Sequence, residues 1–260
     1  MTMPYVEVHS DAPGPYLLLV HGLLSSRAQW RANLAGLRAF CRPVVVELWG
    51  HGRSPTPENA DAYSVRSYID IFEKIRQSLG VERWLICGQS FGAGLTVQYA
   101  LAHPDRIFKQ IFTNSISALS PLNAMGNDEE RVIRAAALER GGAAAIEALP
   151  FHPRLAQRFA PDIQQEMIDD AARISPTGIA NAMRFTSPEL SVIDRFADID
   201  VPTLLINGVW EKAFQPLRNR AVELLPSLQV VDVEGGHSVN VEAPALFNEA
   251  VDQFVRSLPL

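Results

Sequence analysis

Leu85-Ile86-Cys87-Gly88-Gln89-Ser90-Phe91-Gly92-Ala93-Gly94 runs an apolar segment into a Gly-x-Ser-x-Gly pentapeptide. Leu95-Thr96-Val97-Gln98-Tyr99-Ala100-Leu101-Ala102 follows it and reads as a helix. A strand that turns sharply into a helix at a serine holds that hydroxyl out at the tip of a sheet. Gly88 and Gly92 flank the serine because the turn leaves no room for side chains there, and the Ser90 backbone is expected to be strained. Alone the pentapeptide says little: at ordinary Gly and Ser usage a chain this long contains one by chance roughly one time in ten. The alternative is a glycine-rich turn with Ser90 as a helix cap. Context decides between them.

Outward from this turn, strand-like and helix-like runs alternate. Tyr16-Leu17-Leu18-Leu19-Val20 is continuously apolar, as a strand covered on both faces should be. Further strands are expected at Arg42 to Leu48, Trp84 to Cys87, Ile107 to Asn114, Thr203 to Asn207 and Gln229 to Val233, and His9 falls in an N-terminal strand region. Val65, Tyr68, Ile69, Phe72, Ile75 and Leu79 have helical spacing, with Ser64 as N-cap and Gly80 as the stop. Glu242 to Leu258 closes the chain as an amphipathic helix. Strands separated by helices imply βαβ units and a mostly parallel sheet.

The alternation stops between about Pro121 and Phe196. Helical runs are expected at Arg131 to Glu139, Ala143 to Leu149, Leu155 to Phe159, Asp162 to Ile174 and Pro176 to Phe185, with no strand among them. Crossover connections need far fewer residues. An insert here would lie over the C-terminal ends of the strands, where sites in open α/β sheets form. The division expected is a core of residues 1–120 and 192–260 and a helical cap of residues 121–191.

The chain has 260 residues, 47% hydrophobic and 20% charged, with net charge −6. That length supports one large core. The mild acidity provides no attraction to nucleic acid or an anionic membrane. No apolar run reaches the roughly 18 residues needed to span a bilayer, and the N-terminus shows no secretion signal. Cys41 and Cys87 cannot build a disulfide framework, and Cys87 reads as a small buried hydrophobe, so a reducing cytoplasm is expected. There is no His-x-x-x-His, His-Glu-x-x-His or Cys-x-x-Cys, and the glycines at 88, 92 and 94 do not match a dinucleotide fingerprint. Neither metal nor cofactor is expected.

Four pieces together resemble the α/β-hydrolase fold, in its serine esterase-like form with a helical cap: His21-Gly22-Leu23-Leu24, Gly50-His51-Gly52-Arg53-Ser54, the turn at Gly88 to Gly92, and Gly235-Gly236-His237. The resemblance covers nearly the whole chain and is weakest in the insert. It implies Ser90 as nucleophile and His237 as the base that a hydroxyl needs at neutral pH. The order Ser, acid, His of this fold puts the acid three residues past Gly208, at Glu211. The family usually has Asp there, and Glu is one methylene longer. Asp198, Asp200 and Asp232 are the other nearby acids. The family's other location for an acid, around Thr113-Asn114-Ser115, carries no carboxylate. The backbone N–H groups of Leu23 and Phe91 are the implied oxyanion donors, and His51 is implied to be structural.

Leu24, Trp30, Trp210 and Phe214 lie in loops expected near the serine, and Phe151, His152, Met167, Met183 and Phe185 in the insert. Leu24, Trp210, Phe214, His152 and Phe185 are the candidates for the substrate wall. An apolar wall with few polar groups suits a small apolar ester, lactone or thioester. Acyl transfer and carbon–carbon cleavage by the same residues stay open, as does a non-catalytic hydrolase-fold binding protein. An Asp in place of Ser90 would be needed for dehalogenation or epoxide opening. The sequence specifies neither the natural substrate nor an oligomeric state.

Overall fold

The computed structural model describes residues 2–121 and 127–257. The first part of the expected insert, residues 122–126, and Leu258 of the expected last helix lie outside them. Seven described strands form one sheet: β1 (Val6–Val8), β2 (Tyr16–Val20), β3 (Arg42–Val46), β4 (Trp84–Gly88), β5 (Ile107–Thr113), β6 (Thr203–Gly208) and β7 (Gln229–Val233). Their spatial order is β1-β3-β2-β4-β5-β6-β7. Only β1 runs antiparallel, along β3 at the edge. The chain travels outward from β2 to β3 and returns across β2 to β4. The order therefore reverses between β2 and β4, the place where sites form in doubly wound sheets.

The strand tips are level there. Val20 pairs with Gly88, Gly88 with Phe112, Thr113 with Ile206 and Gly208 with Val233. Loops leaving β2, β4, β5, β6 and β7 consequently start side by side along one edge.

Both faces of the sheet are buried, which explains the unbroken apolar strands. Leu18 and Val20 face one core with Ile86, Phe112 and Leu205. Leu17 and Leu19 face the other with Leu85, Cys87, Ile111 and Ile206. The helices are α1 (Arg31–Leu37), α2 (Val65–Ser78), α3 (Phe91–Ala102), α4 (Ile116–Leu119), α5 (Asp128–Glu147), α6 (Pro161–Ala171), α7 (Pro176–Asn181), α8 (Gln215–Leu224), α9 (Val239–Glu242) and α10 (Pro244–Ser257). Ser64 caps α2 as expected, accepting from the N–H of Ser67. The N-terminal two turns of α3 are buried on all sides, from Phe91 to Val97.

Two local expectations change and one holds. Leu155 to Phe159 is not a helix. Only a single turn forms, at Pro153–Leu155, because Pro153 starts it and the N–H of Ala156 already closes it. The two runs expected at 131–149 are both helical and are kept apart as expected, since Gly142, at φ 59° and ψ −143°, breaks the helical path within α5. The closing helix, α10, begins at Pro244 rather than Glu242, because Glu242 ends the preceding short helix α9 and Pro244 cannot continue it.

The described part of the helical insert rests on the loops after β2 and β3. Leu24 packs among Ala135, Leu138, Ile146, Ala171, Ile174 and Ile179. The Ser175 N–H donates to Gly50 O at 2.8 Å, and the Ser26 hydroxyl to Asp170 at 2.6 Å.

Candidate active site

Ser90 stands between β4 and α3 with φ 52° and ψ −114°. Its backbone and that of Leu24 are the two positive-φ positions outside glycine among the described residues. Such strain costs about 1–3 kcal/mol each and persists only where packing enforces it. Here the enforcement is visible. A Cβ on Gly92 would collide with the carbonyl oxygens of Val20 and His21, so β2 and α3 approach as closely as only glycine allows. The Ser90 carbonyl is held by the Ser115 hydroxyl at 2.7 Å.

His237 follows β7 through Glu234-Gly235-Gly236 and reaches back over the sheet edge. Its Nε2 lies 2.8 Å from Ser90 Oγ, and its Nδ1 lies 2.9 Å from Glu211 Oε1. With the carboxylate on Nδ1, the ring proton belongs there and Nε2 is free to accept from the hydroxyl. This brings together three of the residues expected from the sequence. A hydroxyl so placed can give up its proton as it attacks. The His237 side chain remains 42% exposed, so the arrangement opens to solvent on that side.

Glu211 sits three residues past the end of β6, where the backbone turns with Glu211 N–H donating to Gly208 O. Its second oxygen, Oε2, accepts from Asn114 Nδ2 at 2.8 Å. Asn114 is fully buried at the tip of β5 and also exchanges bonds with Gly208, Nδ2 to O at 3.0 Å and N–H to Oδ1 at 2.9 Å. The position without a carboxylate therefore holds the carboxylate of the next strand. Burial pushes the Glu211 carboxyl up, but the His237 ring and the Asn114 amide together hold it below the usual carboxylate value. Two of the other acids are engaged elsewhere, Asp232 with Arg218 and Asn207, and Asp198 with Arg195.

The loop after β2 lies beside the serine. A Cβ on Gly22 would lie 3.2 Å from Ser90 Cβ. The Gly22 N–H donates to Gln29 Oε1 at 3.0 Å and the Leu24 N–H to His51 Nε2 at 3.2 Å. The Leu23 N–H between them, and that of Phe91 at the start of α3, donate to no other described group. His51 and His21 are buried and neutral. Burial is the main cause, pulling His51 down to about 4 and His21, with help from nearby His51, to about 3. His21 Nε2 accepts the Leu48 N–H at 3.0 Å. The two imidazoles thus serve as acceptors that set the loop's course.

The candidate wall residues separate. Phe214 is fully buried in the core beneath α8, with Phe112 and Phe196 in the same cluster. It precedes Gln215, and the start of the helix turns it inward, so it is not part of an open wall. Trp30 is likewise buried, against Phe247. Leu24 is 1% exposed beneath the insert. His152 is 4% exposed and accepts the Arg154 N–H at its own Nδ1. Trp210 and Phe185 are exposed, and Arg158 lies over the Trp210 ring at 5.4 Å.

Sequence reasoning missed Asn114, Ser115, Gln89 and Glu242. Gln89 Nε2 donates to His237 O at 3.1 Å, and Glu242 accepts from Gly236 N–H at 2.9 Å. The only available signal was a polar residue directly following an apolar strand, as at Asn114.

The chain is 28% identical over 253 residues to the "Putative 2-succinyl-6-hydroxy-2,4-cyclohexadiene-1-carboxylate synthase" of Bacillus subtilis (strain 168), covering 93% of this chain and 90% of that one. It is 27% identical over 257 residues to the carboxylesterase YbfK of the same organism, covering 94% and 81%. The structure of MenH from S. aureus superposes with a TM-score of 0.85 at 19% identity, covering 98% of this chain and 99% of that one. No described helix is long and apolar enough to cross a membrane. A family model described as alpha/beta hydrolase fold matches residues 15–154, more than half the chain and the stretch that carries β2, the serine turn and the tip of β5. On that match the chain belongs to the alpha/beta hydrolase fold family and is an enzyme of that fold.

Proposed function

We propose that this enzyme is a serine hydrolase that cleaves carboxylic esters, with lactones and thioesters as related substrates. The observation that carries the reading is the unbroken chain from Ser90 Oγ through His237 to Glu211, with contacts of 2.8 and 2.9 Å. Ser90 attacks the carbonyl carbon while its proton passes to His237 Nε2. The Leu23 and Phe91 N–H groups hold the oxyanion. The carbon–oxygen bond breaks, the alcohol leaves with the proton from His237, and water activated by the same ring releases the acid. Glu211 fixes the ring tautomer and stabilises the imidazolium. The likeness to a carboxylesterase supports the bond class. The insert expected at 121–191, helical in its described part, acts as a cap over the site, and the apolar character of Leu23, Trp210 and Phe185 suits an apolar substrate. Two buried free thiols fit a reducing compartment.

A panel of p-nitrophenyl esters and simple lactones tests this directly. Wild-type protein should turn over several members and be labelled by a fluorophosphonate. Ser90→Ala should lose both while keeping its fold; a labelled or active alanine variant overturns the reading.

A second reading uses the same three residues on another bond or acceptor. The likeness to a protein named as a synthase favours it. Product analysis with water and an alcohol competing for the acyl group separates transfer from hydrolysis, and diketone substrates reveal carbon–carbon cleavage.

A further inference from the structure

The turn carrying His237 is held by one carboxylate. Glu242 ends α9, five residues past His237, and its side chain is 5% exposed. Oε2 accepts from the N–H of Gly236 at 2.9 Å and Oε1 from the N–H of Ser238 at 3.4 Å, the residues on either side of His237. The His237 carbonyl is taken by Gln89, which neighbours Ser90. The main chain around the imidazole is thus held by two buried polar side chains, while Glu211 holds the ring itself.

Glu242 has a further partner from the helical insert. Arg158, in the stretch before α6, pairs through Nε with Glu242 Oε2 at 2.5 Å. Its Nη2 occupies the space a side chain on Gly236 would take. Its guanidinium also covers Trp210, the residue before Glu211. One insert residue therefore touches the support of the histidine and the chain neighbour of the acid.

We propose that Glu242 is a positioning residue for His237, and that Arg158 couples its orientation to the seating of the helical insert. When the insert is seated, Arg158 fixes the Glu242 carboxylate in the bidentate pose that spans Gly236 and Ser238. When it lifts, the carboxylate loses its counter-charge and the turn its outer wall, so His237 drifts from Ser90 and Glu211. The enzyme is then competent only with its insert closed. A displacement on the order of 1 Å at a reacting group can cost about 10²-fold in rate, so these contacts suffice to gate turnover without touching the substrate.

This inference rests on the reading of Ser90 and His237 as nucleophile and base, and the test separates the two. Fluorophosphonate labelling rate and p-nitrophenyl ester kinetics are measured for wild type, Ser90→Ala, Glu242→Ala, Glu242→Gln, Arg158→Ala and the Glu242→Ala/Arg158→Ala pair. Glu242→Ala should lose about 10²-fold in labelling rate and kcat, with KM within about threefold. Glu242→Gln keeps one acceptor oxygen and should fall between it and wild type. Arg158→Ala changes an exposed side chain, should fold normally, and should lose several-fold in kcat. The double variant should be no slower than Glu242→Ala, since Arg158 acts through Glu242. If Glu242→Ala does not fold, Glu242→Gln and Arg158→Ala carry the same comparison. Wild-type rates in Glu242→Gln and Arg158→Ala, or strictly multiplicative losses in the double variant, overturn the proposal. Persistent labelling of Ser90→Ala instead overturns the reading beneath it.

Discussion

Between β2 and β4 the reactive groups are placed by the main chain. Ser90 and Leu24 adopt positive φ, Gly92 presses against the end of β2, and the unpaired N–H groups of Leu23 and Phe91 belong to the backbone itself. Between β6 and β7 the corresponding work falls to side chains. Asn114 holds Glu211, Glu242 holds the turn of His237, and Gln89 ties that turn to the serine loop. Backbone placement needs tight packing and resists most side-chain changes. Side-chain placement is adjustable, and one substitution can undo it. The first flank should thus respond to mutation mainly in stability, and the second mainly in rate.

The sharpest break is expected at Glu211. Glu211→Gln keeps the shape and removes the charge that holds the ring tautomer, so kcat should fall by roughly 10⁴ with the melting temperature little changed. Asp200→Asn should leave kcat as it is. The reverse order in ester kinetics would reassign the acid. On the other flank, Gly92→Ala should cost about 3 kcal/mol of stability through the clash with the end of β2, seen as a lower midpoint in urea unfolding. A fully stable, fully active Gly92→Ala would show that the backbone there is not tight. Asn114→Ala removes the partner of one carboxylate oxygen and of two backbone groups of Gly208. A loss of about 1 kcal/mol and of more than about tenfold in kcat is expected, with Asn114→Asp also impaired because a second carboxylate faces Glu211. Ser115→Ala frees the Ser90 carbonyl from one bond and should cost about 1 kcal/mol, with kcat nearly intact.

Acid separates the flanks as well. His51 and His21 titrate at about 4 and about 3 in the folded protein, against about 6.5 in an unfolded chain. As pH falls below about 6.5 the unfolded chain takes up these protons first. The stabilisation by two neutral imidazoles is complete above that value and is lost progressively on the way down. Glu211, held below its usual value, keeps its contribution until pH drops through the carboxylate range near 4. Melting temperatures should decline between pH 6.5 and 4. That part of the curve should flatten in His51→Gln and persist in Glu211→Gln.

The strands of the main sheet and the serine turn were readable because each is written within a few consecutive residues. A continuous apolar run means a strand covered on both faces, and Gly88-Gln89-Ser90-Phe91-Gly92 means a turn too tight for anything but glycine at its ends. Glu211 was readable only through its offset from Gly208. Phe214 was misplaced because hydrophobicity does not say which side of a helix start a ring will take. The turn at 153–155 was overread as a longer helix because apolar spacing persists past the point where Ala156 closes it.

Local order along the chain thus determined the architecture, the strained serine and the candidate base and acid. Only the folded molecule decided what steadies them. Asn114 and Glu211 lie 97 residues apart and meet because β5 and β6 align in parallel register. Arg158 and Glu242 lie 84 residues apart and meet because the insert folds back over the end of β7. Such contacts depend on register and on how elements pack, and neither leaves a periodic trace in the residues that make them.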